Sequence, residues 1–256
     1  MTSAAFDAST VGFVDDHEEG CRRLRADELE PLGVISDASN GTMLCRLGPA
    51  EQNLFAIYKP GSHERPLWDF PGQLYLREVA AYELSEFLGW GLVPPTVERD
   101  GPRGPGSLQL FVPHDPTEHY FTLIESDDGR FDVPLAQMAM FDMVVNNTDR
   151  KGGHVLRHAR DDRIYGIDNG LTFHVEPKLR TVIWDLSHVP FAAAWADDLQ
   201  RLRRCIRDGE PFAERLDELL TASEVRVLAA RAGQVAGMEA MPDIDPDHRW
   251  YPWPPV

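Results

Sequence analysis

Two short β-forming runs, HVLRH and IYGID, fold back on each other through ARDDR, in a region whose other apolar residues are spaced for helices. A hairpin of this size sets its two ends side by side. Asp149, just before the outgoing run, and Asp168, at the end of the returning one, therefore converge although 19 positions apart. Gly152 and Gly153 let the chain turn tightly after Asp149, as a loop holding a carboxylate at a cleft requires. Paired acids of this kind suit two tasks: accepting a proton from a hydroxyl, and holding a divalent cation against phosphates. His154 and His158 have the spacing of a helical zinc pair. On a strand they lie about 13 Å apart, which excludes one shared ion.

Before the hairpin, VPLAQMAMFDMVV at 133–145 has helical spacing, and three further helical stretches are expected around 194–208, 211–220 and 223–238. The second half of the chain is thus mainly helical. The first half reads differently. Short apolar runs flank Ser36-Asp37-Ala38-Ser39-Asn40-Gly41, a strong hairpin signal, and LFAIYKP extends the sheet. A helix follows over LYLREVAAYELSEFLG, stopped by Gly89. The Gly- and Pro-rich stretch Arg99 to Gly106 reads as a surface loop, and GSLQLFV as a further strand. Residues 1–30, with eight acidic and three basic side chains, suit a loosely docked extension. The expected division is an acidic extension at 1–30, a small β-rich lobe at 31–112, and a helical lobe at 113–256 ending in a Trp- and Pro-rich tail docked on a groove.

Lys59 shares a strand face with Phe55 and Ile57, and a lysine there must either snorkel or find an anion. The helix that follows offers Glu78 or Glu83 as its partner, and helical angle does not choose between them. With no P-loop and no G-x-G-x-x-G, any phosphate cradle falls to the hairpin loop Ser36 to Thr42, whose amides and short hydroxyls suit an anion. No G-x-S-x-G elbow marks a hydrolase. The 25 Lys and Arg against 42 Asp and Glu give a formal charge of -17, which repels nucleic acid and anionic bilayers. No apolar run reaches membrane-spanning length, and the amino terminus has no signal-peptide pattern, so a cytoplasmic protein without stable membrane anchoring is expected. Three scattered cysteines suggest reduced, structural thiols.

The order AIYKP, REVAAYELSEFLG, LVPPT, GSLQLFV, NNTDR and IDNGLTF resembles the phosphatidylinositol 3-/4-kinase superfamily. Within it, the chain is most similar to the type II phosphatidylinositol 4-kinases and their bacterial, actinobacterial-type relatives, and more distantly to toxin kinases of the HipA kind. The resemblance spans roughly residues 33–195. It implies an α+β, bilobed protein-kinase-like fold: a small antiparallel-sheet N-lobe with one helix, and a mainly helical C-lobe. It also implies ATP and Mg²⁺ or Mn²⁺ as cofactors, Lys59 paired with Glu78 on the phosphates, and Asp149 as the catalytic-loop aspartate. Asp168 becomes the metal-binding aspartate. Ser36, Ser39, Asn40, Gly41 and Thr42 would cover the phosphates, and Leu110, Phe111 and Val112 would meet the adenine.

Two departures stand out. Where the family has a metal-binding asparagine, this chain has His154, and it lacks the cysteine-rich segment that tethers eukaryotic type II enzymes. The expected function is transfer of the γ-phosphate of ATP to a hydroxyl acceptor: an inositol lipid, a protein or a small alcohol. The alternatives are a nucleotide-binding pseudokinase acting as scaffold or regulator, and a kinase-fold AMP transferase. Lys178, Arg180 and Trp184 are candidates for meeting the acceptor, against a plain reading in which Val182, Ile183 and Leu186 pack a helix into the lower lobe.

Overall fold

The computed structural model describes residues 10–35, 41–125, 129–243 and 250–256. Ser36, Ser39 and Asn40 of the expected phosphate cradle lie outside them. Five antiparallel strands form one sheet in the order β1-β2-β3-β5-β4: β1 (Leu29–Val34), β2 (Met43–Leu47), β3 (Phe55–Pro60), β4 (Thr96–Gly101) and β5 (Gly104–Leu110). Period-2 alternation makes the sheet two-faced. Met43, Cys45 and Leu47 of β2, with Ala56 and Tyr58 of β3, enter the core, while Phe55, Ile57 and Lys59 take the other face. That face is half-buried and opens towards a cleft, so Lys59 does not follow two fully buried neighbours. Arg99 to Gly106, expected as a loop, is mostly ladder: Arg99 pairs with Gly106 and Asp100 with Pro105. Only residues 102–103 turn. Composition alone hides a hairpin whose glycines and prolines sit in paired positions.

Helix α1 (His17–Ala26) corrects the expected loose extension. Asp16 caps it by accepting from the Glu19 N–H at 2.8 Å, and Cys21 and Leu24 are buried against β4 and β5. Three apolar or small residues on one stripe suffice to dock an otherwise charged helix. Helix α2 (Leu74–Leu88) crosses the sheet and is flanked on its other side by α5 (Ala193–Asp208) and α6 (Pro211–Leu219), so ten of its fifteen residues are buried. Gly89 ends it at φ 75°, where its N–H reaches back to Ser85 and Glu86. Glu83 is spent elsewhere, held by Arg215 of α6 at 2.9 Å.

The helical lobe consists of α3 (Tyr120–Glu125), α4 (Asp132–Val145), α5, α6 and α7 (Ala222–Val235). Between α4 and α5 lies the small hairpin of β6 (Val155–Arg157) and β7 (Ile164–Gly166). The expected strands of five residues are three long: His154 belongs to the tight turn Gly152–His154, and past Arg157 the chain turns back, with the His158 N–H donating to the Arg163 carbonyl at 2.8 Å and its ring Nδ1 lying 2.7 Å from Asp161. No helix forms over 178–186; Val182, Ile183, Trp184 and Leu186 are nevertheless buried as turns. Trp184 is therefore not open to an acceptor, and its indole N–H donates to the Thr181 carbonyl at 2.7 Å. Cys21, Cys45 and Cys205 are buried and unpaired. No described helix is long and apolar enough to cross a membrane. The result is an α+β, bilobed protein-kinase-like fold.

Candidate active site

A cavity of about 630 Å³ runs between sheet and helices. Ile35, Ile57, Gln109 to Val112, Leu156 and Ile167 line one end; Lys59, Glu78, Asp149, Lys151, His154 and Asp168 line the middle. Lysine and both aspartates, drawn from three separate parts of the chain, thus face one space.

At its floor the Lys59 ammonium donates to Glu78 Oε1 and, at 2.7 Å, to Asp168 Oδ1. The register that puts Lys59 opposite Ser107 aims it inward, and α2 presents Glu78 from behind. Glu78 uses its second oxygen to accept the Asn169 N–H at 2.9 Å, so one carboxylate fixes both the lysine and the turn carrying Asp168. Burial works against the Lys59 ammonium, yet Asp168 and Glu78 outweigh it and raise its pKa. Burial raises the pKa of Glu78 against the pull of Lys59. The Lys59 charge holds the Asp168 carboxyl well below the usual carboxylate range. Asp168 stands at φ 58°, a left-handed conformation costing about 1–2 kcal/mol that the surrounding bonds enforce. Its carboxylate is 47% exposed to the cleft.

Asp149 sits on a loop built by its neighbours. The Asn147 side-chain Oδ1 accepts the Asp149 N–H at 3.0 Å, and the Asn146 side-chain amide, on a residue at φ 54°, donates to the main-chain carbonyls of His174 and Glu176. Lys151 lies 3.3 Å from the Asp149 carboxylate. Burial raises the Asp149 pKa, with Lys151 opposing it and Asp168 adding to it. Arg150 is fully buried and uses all five donors. They reach Asp142 of α4 (Nε at 3.0 Å and Nη2 at 2.9 Å), Asn169 Oδ1 at 2.8 Å, and the carbonyls of Ile167 at 2.7 Å and His154 at 3.4 Å. This guanidinium joins the two aspartate-bearing loops to α4. The sequence offers one signal for it, an acid eight positions earlier on the apolar helix α4, while its charged neighbours Asp149 and Lys151 make Arg150 look like a surface residue.

His154 Nε2 lies 3.3 Å from Asp168 Oδ2, and the Lys151 N–H points at His154 Nδ1 at 3.4 Å. Burial pushes the imidazole down to about 4 from an ordinary 6.5, so it is neutral at pH 7. The unfolded chain takes up this proton first, and stability falls as pH drops from about 6.5 towards 4. The slope is at most about 1.4 kcal/mol per pH unit. His154→Asn is expected to flatten the stability curve in that window, measured by urea denaturation at several pH values.

Of the expected nucleotide contacts, the Leu110 N–H already donates to Pro95 at 2.8 Å and the Phe111 N–H to Phe55 at 3.0 Å. The Val112 N–H donates to none of the described residues, and Val112 lines the cavity. Gly41, at φ 66°, and Thr42 close the β1–β2 hairpin, where the Thr42 carbonyl accepts from Ile35 at 2.9 Å; Thr42 lines the cavity. Leu67 lines the cavity and is 38% exposed; next to it in the chain Trp68 is 93% exposed, and the Lys178 ammonium lies over the Trp68 ring and 2.8 Å from Asp69. Leu67, Arg65, Leu74 and Tyr75 continue the cavity in that direction.

A family model described as phosphatidylinositol 3- and 4-kinase matches residues 74–214. Protein Rv2133c of Mycobacterium tuberculosis is 39% identical over 259 residues, covering 89% of this chain and 92% of that one. Phosphatidylinositol 4-kinase gamma 6 of Arabidopsis thaliana is 29% identical over 169 residues, covering 51% of this chain and 26% of that longer protein. Among solved structures, a Golgi casein kinase superposes with a TM-score of 0.56 at 14% identity, over 88% of this chain and 76% of its own. A second structure of the Golgi casein kinase, with Mn and ADP bound, gives 0.53 at 12% identity over the same shares. Hydra Fam20 gives 0.54 at 16% identity, over 87% and 88%. These likenesses establish a kinase-like fold, and with the family match over more than half its length the chain belongs to the phosphatidylinositol 3- and 4-kinase family.

Proposed function

We propose that the cleft binds ATP with a divalent cation and transfers the γ-phosphoryl group to a hydroxyl acceptor. The observation that carries this reading is Lys59 bonded to both Glu78 and Asp168 on the floor of a cavity that Asp149 also faces. Phosphoryl transfer needs positioned positive charge and an aligned nucleophile more than covalent help. Lys59 meets the phosphates. Val112 N–H takes the adenine, with Ile57, Leu156 and Ile167 against its faces. Asp149 accepts the acceptor's proton as its oxygen bonds to γ-phosphorus, while the bond from γ-phosphorus to the bridging oxygen breaks and ADP departs. The lobes are proposed to meet at 112–113, with α1 counted with the sheet.

The residues fit a cation. Among the described residues no three His, Cys, Asp or Glu side chains converge on one point, but Mg²⁺ beside a triphosphate needs only one or two carboxylates, the rest being phosphate and water. Asp168, ionised and half open to the cleft, is the holder. When bound, the cation supplies charge neutralisation at the phosphates. The Lys151 N–H at Nδ1 places the His154 proton on Nε2, directed at Asp168. His154 is thus read as a donor orienting Asp168 rather than as a ligand itself. An amphipathic hydroxyl acceptor suits the mouth, where Leu67 and Trp68 give apolar surface beside the Arg65 and Lys178 charges.

ATP with Mn²⁺ is expected to raise the melting temperature, and Lys59→Met to abolish that shift. ADP release on adding an acceptor distinguishes a kinase from a nucleotide-binding regulator, the reading that His154 in the asparagine position favours. An adenylylated product in intact mass would mark AMP transfer instead. No shift with ATP in the parent chain would overturn nucleotide binding in every form.

A further inference from the structure

Residues 250–256 are tied to the loop that carries Asp149. The Gly152 N–H donates to the Pro255 carbonyl at 2.7 Å, and the Trp250 carbonyl accepts from Thr181 at 3.0 Å and from the Trp184 indole at 3.4 Å. The Trp250 ring meets Trp184 edge-on at 5.4 Å. Gly152 is held between two surfaces: a Cβ there would stand 3.2 Å from the Phe121 ring and 3.4 Å from Val256. Thr181, in turn, bridges to Arg150. The Arg150 N–H donates to Arg180 and the Val182 N–H to Arg150, each at 3.1 Å. Asp149 therefore precedes two residues, Arg150 and Gly152, whose main chains are fastened from outside the loop. The first fastening is internal to the helical lobe; the second is supplied by 250–256.

None of residues 250–256 lines the nucleotide cavity. Whatever they do for catalysis must pass through the loop. That loop contains consecutive glycines, which stiffen it least where Asp149 most needs a fixed place. A misplacement of about 1 Å in a reacting group can cost on the order of 100-fold in rate.

We propose that the 250–256 segment is a positioning strap for the catalytic loop, setting Asp149 against the acceptor through Gly152. Gly152, Pro255 and Trp250 are positioning residues in this account. The proposal rests on the phosphotransfer reading for its effect on turnover, while the strap itself is readable without turnover.

The test compares the intact chain with one lacking residues 254–256, and with Trp250→Ala. Hydrogen exchange should show amides of residues 149–154 exchanging at least about tenfold faster in the deletion, with β3 and α2 unchanged. Turnover should fall about 10- to 100-fold while KM for ATP and the ATP-induced melting shift hold. Adding a synthetic peptide of residues 249–256 to a chain ending at Asp243 should restore part of the lost protection. Unchanged exchange in the loop overturns the strap, as does faster exchange with full turnover in a chain whose parent is active. A parent that releases no ADP with any acceptor removes the phosphotransfer reading instead, and the exchange result still decides whether the strap holds the loop.

Discussion

Asp149→Asn is expected to bind ATP as the parent does and to lose transfer by about 10²- to 10⁴-fold, the range in which a positioned general base contributes. The substitution is isosteric, so the loop built by Asn146, Asn147 and Arg150 stays in place. What disappears is the group that accepts the hydroxyl proton. Burial already raises this carboxyl, and Lys151 opposes the rise. The acid limb of the kcat profile should therefore lie above the ordinary aspartate value in the parent and vanish in the variant. A thermal shift with ATP, retained alongside lost ADP release, separates this outcome from a folding defect. Parent-like turnover would remove Asp149 from the chemistry.

Arg150→Met is expected to destabilise the fold by about 3–5 kcal/mol, because it strands the Asp142 carboxylate, fully buried, without its counter-charge. For a chain of this size that corresponds to a fall in melting temperature of roughly 6–20 °C. Thr181 and Asn147 still donate to Asp142, at 3.3 and 3.1 Å, but neutral donors do not replace a guanidinium. Replacing both partners, Arg150→Met with Asp142→Leu, should recover much of the loss, since a buried pair exchanged for apolar side chains is often nearly neutral. Turnover should not recover, because Asn169 and the carbonyls of Ile167 and His154 stay unheld. Additive single effects would show that Arg150 and Asp142 do not act as a pair.

Much of this arrangement was legible in the chain before any coordinates. Period-2 alternation identified the strand carrying Lys59, and the hairpin between Asp149 and Asp168 predicted their meeting because a short antiparallel excursion must return its ends together. Helical angle did not say which glutamate met Lys59, and only the family resemblance pointed to Glu78: both Glu78 and Glu83 are on α2, and Arg215, far along the chain on α6, takes Glu83. The docking of α1 was hidden because its charges dominate its composition while only a narrow stripe is buried. The ladder at 99–106 was hidden by its glycines and prolines, which pair on the edge of the sheet beside β4. Arg150 escaped notice since its five acceptor atoms come from three separate stretches of chain, around 142, 154 and 167–169, a convergence that only tertiary structure reveals. The phosphate-covering hairpin stays an expectation at Ser36, Ser39 and Asn40, outside the described residues; of its two described members, Thr42 lines the cavity and Gly41 does not.

The most direct measurement is a crystal structure with a non-hydrolysable ATP analogue and Mn²⁺. The account predicts adenine at Val112, the phosphates against Lys59, and the ion at Asp168 with Asp149 facing the γ-phosphate. An analogue bound elsewhere, or phosphates turned away from Lys59 and Asp168, would contradict it.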